Sequence, residues 1–363
     1  MRSRFRKLLD DTTLKAESLY RMHEYRKSAK LRLKRMGNVS ISNDVYRNEV
    51  VPYWKRFGVK PKKFWYDLYS GGMKTVDPRY IPDDLWYGII VPYFSNTLFR
   101  RYGEDKCQLD RIFSEFKHPQ TLVKNIAGVY YDQDMNIIDL NCLIEICMSY
   151  PGDFLIKPSI DSGEGRLISF FDKGDYSEEQ ILNTINYLKA NFIVQAVIKQ
   201  HPALASLNPT SLNTVRIVSF LFQNEVHILS SILRIGAEGA RIDNVGAGGF
   251  ACRIKNTGWL DDRGVNRKSQ WTDECNNGIK FADIKIPAYH QIISLVNSAH
   301  SKQAHFKLIG WDFAINTADE PVFIEYNVCP GMNQITCGPN FGTLTERVLE
   351  DVFITKSLRY AQN

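Results

Sequence analysis

The chain has 363 residues with 44% hydrophobic and 24% charged side chains, a composition that excludes disordered, collagen-like and repeat proteins and leaves room for two or three subdomains. Its net charge of +6 is uneven: residues 1–36 hold twelve Lys and Arg against four Asp and Glu, a net +8, so the other 327 residues sum to −2. A generally basic nucleic-acid-binding body is therefore disfavoured, and no nucleic-acid partner is expected.

Residues 1–110 read as helical and rich in aromatics, among them Trp54, Trp65, Trp86 and Tyr87, with breaks at Gly71–Gly72, Pro78 and Pro82. Burial in a helical cap and a stacking surface for a sugar ring are both open readings of these aromatics. The start of the chain has no apolar signal-peptide core, and no stretch approaches the roughly 18 apolar residues of a membrane span. A cytoplasmic address is expected. Seven cysteines without a CxxC pair fit neither a disulfide framework nor a zinc site, and read as buried thiols in a reducing compartment.

From about 122 the period changes. Strands at 122–131 and 153–157 flank a helix near 136–149, and a second helix at 177–190 carries Ser177 as its N-cap. Strands follow at 192–198, 214–222, 225–235 and 249–254, then a helix at about 287–302, strands at 310–315 and 322–328, and a final helix near 343–355. Helices and strands are segregated rather than alternating, which predicts an α+β fold with antiparallel sheet.

The strands around Asp312 and Glu325 carry the clearest chemistry. With a loop over 316–321, residue 315 pairs with 322 and Asp312 falls directly across from Glu325, while Asn327 shares the face of Glu325. Like charges opposed on a sheet destabilise it. A divalent cation between the carboxylates resolves this, with the Asn327 amide as a third oxygen ligand, and oxygen-only ligation suits Mg²⁺ completed by phosphates. The plainer reading is a solvated hairpin, against which Trp311, Phe313, Phe323 and Ile324 make both strands look buried.

Residues 153–171 read as strand, glycine-containing loop, strand, with Lys157 closing the first strand and Ser159, Ser162, Gly163 and Gly165 in a loop whose N–H groups could wrap a phosphate. An ordinary hairpin turn fits equally. The GxxxxGK(S/T) of a P-loop is absent, and the GAGGFA at 246–251 lacks the helix that a dinucleotide-binding motif requires. Arg216 and Arg234 each sit inside an otherwise apolar strand, where an arginine usually faces a buried anion or a structural carboxylate. Together these groups describe a nucleoside triphosphate with its metal.

In this order the segments FLIKP (154–158), FIVQAVIKQ (192–200), TVRIV (214–218), DNVGAGG (243–249), GWDF (310–313) and IEYNVCPG (324–331) resemble the ATP-grasp superfamily. The helical N-terminal region with IPDDLWY (81–87) and the Asp105–Lys106 pair is most similar to the sugar-transfer-associated ATP-grasp family, and the part from 214 onward also resembles amino-acid-adding ATP-grasp ligases. The resemblance implies a basic helical region over 1–98 and two α+β lobes gripping ATP, over 99–198 and 199–363. It implies that Lys157, and Lys124 as an earlier lysine, contact ATP. It places the 159–165 loop over the β- and γ-phosphates, and Gln195 and Val197 on a hinge against adenine. Gln200 stands where many relatives carry a ribose-binding acid. Arg216 and Arg234 would hold the transferring phosphoryl group, Asn244 and Gly248–Gly249 would lie near acceptor and phosphates, and Asp312, Glu325 and Asn327 would hold Mg²⁺.

The function so implied is an ATP-dependent carboxylate–amine ligase working through an acyl phosphate, joining an amino acid or other amine to a uronic acid carboxylate in capsule or O-antigen assembly. The alternative is an ATP-binding scaffold without turnover that docks a glycosyltransferase. A kinase would need HRD and DFG motifs, which are absent. His201, His227 and His305 read as structural. The basic arm, with Phe5, Leu8, Leu9, Leu14, Leu19 and Tyr20, permits an amphipathic helix on an anionic inner-membrane surface; a solvated helix packed on the cap fits as well.

Overall fold

A 34-residue helix, α1 (Arg2–Arg35), opens the chain and lies on a layer of short helices that includes α2 (Lys63–Ser70) and residues 83–94. The computed structural model describes residues 2–37, 39–71, 76–160, 165, 167–243, 248–266, 268 and 270–355, without the side chains of residues 2–11, Leu14 and Thr97. Phe5, Leu8, Leu9 and Leu14 thus lie outside the described side chains. Ala29 and Leu33 of α1 join Trp54, Trp65, Trp86 and Phe94 in one apolar core, so these aromatics are buried in a cap. α2 stops where Gly71 turns left-handed at φ 59°, a conformation glycine adopts without Cβ strain. No helix among the described residues is long and apolar enough to cross a membrane.

The first sheet has the order β3-β2-β1-β6-β4-β5 and is antiparallel throughout. Its strands are β1 (Thr121–Ile126), β2 (Val129–Asp132), β3 (Ile137–Ile138), β4 (Phe154–Pro158), β5 (Ser169–Phe171) and β6 (Phe192–Ala196). Helices α3 (Leu140–Ser149) and α4 (Glu178–Leu188) cover it, burying Leu143, Ile144, Ile181 and Ile185 against Phe154 and Phe192. Ser177 and Gln180 close a full capping box on α4, a device worth about 1 kcal/mol. α3 begins later than its periodicity predicts: Asp139 caps the backbone of Cys142, and Ile137–Ile138 add a strand instead.

The second sheet has the order β11-β10-β9-β8-β7-β12-β13, again antiparallel. It comprises β7 (Thr214–Phe222), β8 (Glu225–Ile235), β9 (Phe250–Ile254), β10 (Leu260–Asn266), β11 (Trp271–Thr272), β12 (Leu308–Ile315) and β13 (Pro321–Asn327). α5 (Tyr289–Ser301) packs on it, and the core between them takes in Phe113 and Phe116 from the segment before the first sheet, both against Trp311. Asp312 does pair with Glu325, though not through the register read from the sequence. Ile315 pairs with Pro321 and Phe313 with Phe323, and a bulge at Ile324 then brings Asp312 opposite Glu325.

Candidate active site

Three strands set the site. Arg216 on β7, Asp312 on β12 and Glu325 on β13 are successive cross-strand partners and form a row across the sheet. The Arg216 guanidinium grips Asp312 at both carboxylate oxygens, with Nη2 to Oδ2 at 2.5 Å. Arg234 on β8 reaches the same Asp312 oxygen at 3.5 Å and Asp243 at 3.3 Å, and Asp243 also accepts the Thr214 hydroxyl. Burial alone would lower the Arg216 pKa, but Asp312 and then Glu325 raise it, so this arginine stays charged.

Glu325 takes its cation from elsewhere in the chain. Lys106 Nζ lies 2.9 Å from its Oε2, and the Lys106 backbone N–H donates to the carbonyl of Ser159, which ties this lysine to the end of β4. Burial would push the Glu325 carboxyl up, but Lys106, Lys157 and Arg216 together pull it down to about 2. Lys157 is the counterpart: burial, reinforced by Lys106, pushes its ammonium down to about 8 against the opposing pull of Glu325.

These groups line one cavity of about 1150 Å³ between the two sheets. In its wall Arg241, from the second sheet's side, reaches the first sheet's side with two 2.8 Å hydrogen bonds to Asp172 and lies 4.0 Å over the Phe170 ring. Gly165 meets Ile242 there so closely that a Cβ would sit 2.6 Å from Ile242 Cγ2.

A family model described as sugar-transfer associated ATP-grasp matches residues 103–349. The chain belongs to that family. It is an ATP-grasp fold with a helical N-terminal region. No curated protein sequence matches it. Among solved structures it is similar to D-cycloserine synthetase DcsG (11% identity, TM-score 0.41, 68% of this chain against 71% of that one). It is also similar to D-alanyl-alanine synthetase A from Vibrio cholerae (12%, 0.40, 70% against 65%). A third is an L-amino acid ligase from Bacillus licheniformis (11%, 0.39, 84% against 52%), so the chain spans only about half of that protein's length.

In this ATP-grasp protein the cavity wall gathers Lys157, Gly165, Gln195, Val197, Gln200, Arg216, Arg234, Asp312, Glu325 and Asn327. Other candidate residues stand apart from it. Lys124 is 1% exposed and spends its charge on Asp110 at 2.5 Å. Ser159 is buried, with its N–H donating to the Asn191 carbonyl, and neither it nor Gly248 or Gly249 is in the wall. Ser162, Gly163 and Asn244 lie outside the described residues. Gln200 reaches the cavity, but its amide is committed to the backbone: Nε2 donates to the Asn208 and Ser211 carbonyls and Oε1 accepts the Asn213 N–H. The Val197 N–H is likewise used, on the Asp153 carbonyl.

The opposed carboxylates are already compensated. Arg216 and Lys106 supply the positive charge that the sequence argument assigned to a metal, so carboxylate repulsion by itself does not require one. Among the described residues no group of three or more His, Cys, Asp or Glu is placed to hold an ion. The donor types nonetheless fit a hard cation whose other ligands are phosphate and water: the carboxylates of Asp312 and Glu325 and the amide oxygen of the half-buried Asn327 line the same cavity. Lys106 and Asp243, the ion-pair partners of Glu325 and Arg234, are the candidate positions hardest to find in sequence. Only the Asp105–Lys106 pair signals the first, and nothing in the spacing aims it at residue 325.

Proposed function

We propose that the protein is an ATP-dependent carboxylate–amine ligase that works through an acyl phosphate. The observation that carries this reading is the convergence of Lys157, Arg216 and Arg234 with Asp312, Glu325 and Asn327 in one cavity between two sheets. Lys157 and the Gly165 loop hold the ATP polyphosphate, and Gln195 and Val197 face the base. Asp312, Glu325 and Asn327 hold Mg²⁺, which when bound neutralises phosphate charge.

A substrate carboxylate oxygen attacks the γ-phosphorus and the bond to the β-phosphate oxygen breaks, releasing ADP. Arg216 and Arg234 face the charge that grows on the transferring group, fixed in place by Asp312 and Asp243. An amine nitrogen then attacks the acyl carbon, the carbon–oxygen bond to phosphate breaks, and the nitrogen loses its proton to solvent. No protein nucleophile is needed. The family description refers to sugar transfer, and on this reading the carboxylate is a uronic acid of a surface polysaccharide, while the basic excess of residues 1–36 favours peripheral contact with the anionic inner membrane on the cytoplasmic side.

The test is ADP release over a matrix of nucleotide-linked and polymeric uronic acids against amino acids. Release that needs both partners supports the reading. One observation favours a second reading, an ATP-binding scaffold without turnover that docks a glycosyltransferase: both carboxylates of the metal corner are already ion-paired. Tight ATP binding with no ADP across the whole matrix would select that alternative.

A further inference from the structure

The first helix is part of the cavity. Arg26 pairs with the buried Asp84 at 2.6 Å, the Ser18 hydroxyl donates to the Gly88 carbonyl at 2.5 Å, and the Tyr25 and Tyr87 rings stack 4.1 Å apart at 8°. At Gly88 a Cβ would fall 2.4 Å from Met22 Cγ, so the helix sits directly on the backbone. This seating puts Tyr25, Ser28 and Arg32 into the cavity wall beside Asp83 and Tyr87.

Among the carboxylates and arginines of that wall, one acid and one arginine are left over. Four carboxylates line the cavity, and Asp312, Asp243 and Glu325 each have an ion pair; Asp83 has none among the described residues. Four arginines line it, and Arg216, Arg234 and Arg241 each have a carboxylate; Arg32 has none, and its Nε is buried without a partner. Asp83 Oδ1 accepts the Tyr69 hydroxyl at 2.9 Å, and among the described residues no hydrogen bond reaches Oδ2. The Arg32 charge acts on the Asp83 carboxyl, against the burial that pushes it up, but among the described residues the two form no ion pair. An unpaired, partly desolvated arginine and carboxylate are costly to keep, and a ligand bearing the matching charges recovers that cost.

We propose that this wall seats the amine substrate as an amino acid, its carboxylate on Arg32 and its ammonium on Asp83, next to the reacting centre. The proposal rests on the ligase reading for its role but not for its binding chemistry. Asp83 and Tyr87 line the same cavity as the Arg216–Asp312 pair. A simple amine would leave Arg32 unmatched.

Calorimetric titration of the full-length protein, loaded with Mg²⁺ and a non-hydrolysable ATP analogue, tests this with common amino acids and their decarboxylated amines, such as alanine against ethylamine. At least one amino acid should bind about tenfold or more tightly than its amine, the worth of a charge-assisted hydrogen bond. Arg32→Gln should erase that difference and Arg32→Lys restore part of it, with affinity for the ATP analogue unchanged in both. Failure of every amino acid to bind the wild-type chain, or an amino-acid preference that survives Arg32→Gln, overturns the proposal. Binding as expected with no ADP release from any carboxylate removes the ligase reading and leaves the amino-acid site standing. ADP release that is as fast with simple amines as with amino acids does the reverse.

Discussion

Arg216 and Asp312 are direct cross-strand partners on β7 and β12 and are joined through both oxygens of the carboxylate, with Glu325 next in the same row. The pair lets two acids stand opposite each other inside a sheet, and both of its residues line the cavity. Arg216→Ala leaves Asp312, 3% exposed, dependent on the longer Arg234 contact alone. Loss of one partner of a buried pair costs about 3–5 kcal/mol, so its urea midpoint should fall as ADP release disappears. Asp312→Asn should abolish ADP release with a smaller stability loss, because the shape is kept. Turnover at the wild-type rate in either variant would contradict the site.

Lys106 should control the acid limb of stability. Glu325 titrates near 2 in the fold instead of 4.5, so its contribution is present above the unfolded value and is lost as pH falls from about 4.5 toward 2. Lys106→Met removes the strongest attraction on Glu325, and the urea midpoint should then change less over that window. An unaltered acid limb would show that Lys106 does not hold the carboxylate.

Lys157 has the opposite sign. Its ammonium is pushed down to about 8 from 10.5, so the fold carries a penalty for the charged form that is fully present below pH 8 and relieved as pH rises through that interval. A bound polyphosphate favours the charged form. ATP binding between pH 8 and 10 should therefore take up a proton and weaken as pH rises, read by calorimetry in buffers of different ionisation heat. Lys157→Met should bind weakly and lose the proton uptake.

Arg241, in the cavity wall, bridges the two sheets' sides through Asp172 and Phe170. Exposed pairs contribute about 0–1 kcal/mol, so Arg241→Ala should leave the unfolding midpoint almost unchanged. The expected effect is a faster off-rate for ATP, measured by stopped-flow with a fluorescent analogue. An unchanged off-rate would mean that the bridge has no part in retaining nucleotide.

For the basic arm, deletion is a poor test, since Ala29 and Leu33 are buried in the cap and Arg26 holds Asp84. The outward side chains serve better. Lys27, Lys34 and Arg35 are exposed, and changing all three to Glu should abolish binding to anionic phospholipid vesicles while ADP release stays normal. Vesicle binding equal to wild type removes the membrane contact from the account.

Much of the fold was legible because single-period segments decide themselves. The capping box at Ser177, the apolar strands β7 and β8 and the amphipathic α5 follow from local pattern. β10 was not legible, because Asp261, Asp262 and Arg263 interrupt its alternation at a bulge. In the site, Asp312 opposite Glu325 could be read from a hairpin, which is a local relation. Lys106 on Glu325 and Arg32 beside Asp83 join residues far apart in sequence, and only the packing of the helical cap and the two sheets brings them together.

The most direct test of the ligase reading follows oxygen. The protein is incubated with Mg²⁺, ATP, an amino acid pool and uronic acids labelled with ¹⁸O in the carboxylate, and the released phosphate is weighed by mass spectrometry. An acyl phosphate opened by an amine transfers one labelled oxygen to phosphate, with one amide formed per ADP. Unlabelled phosphate alongside ADP, or amide without label transfer, would contradict it.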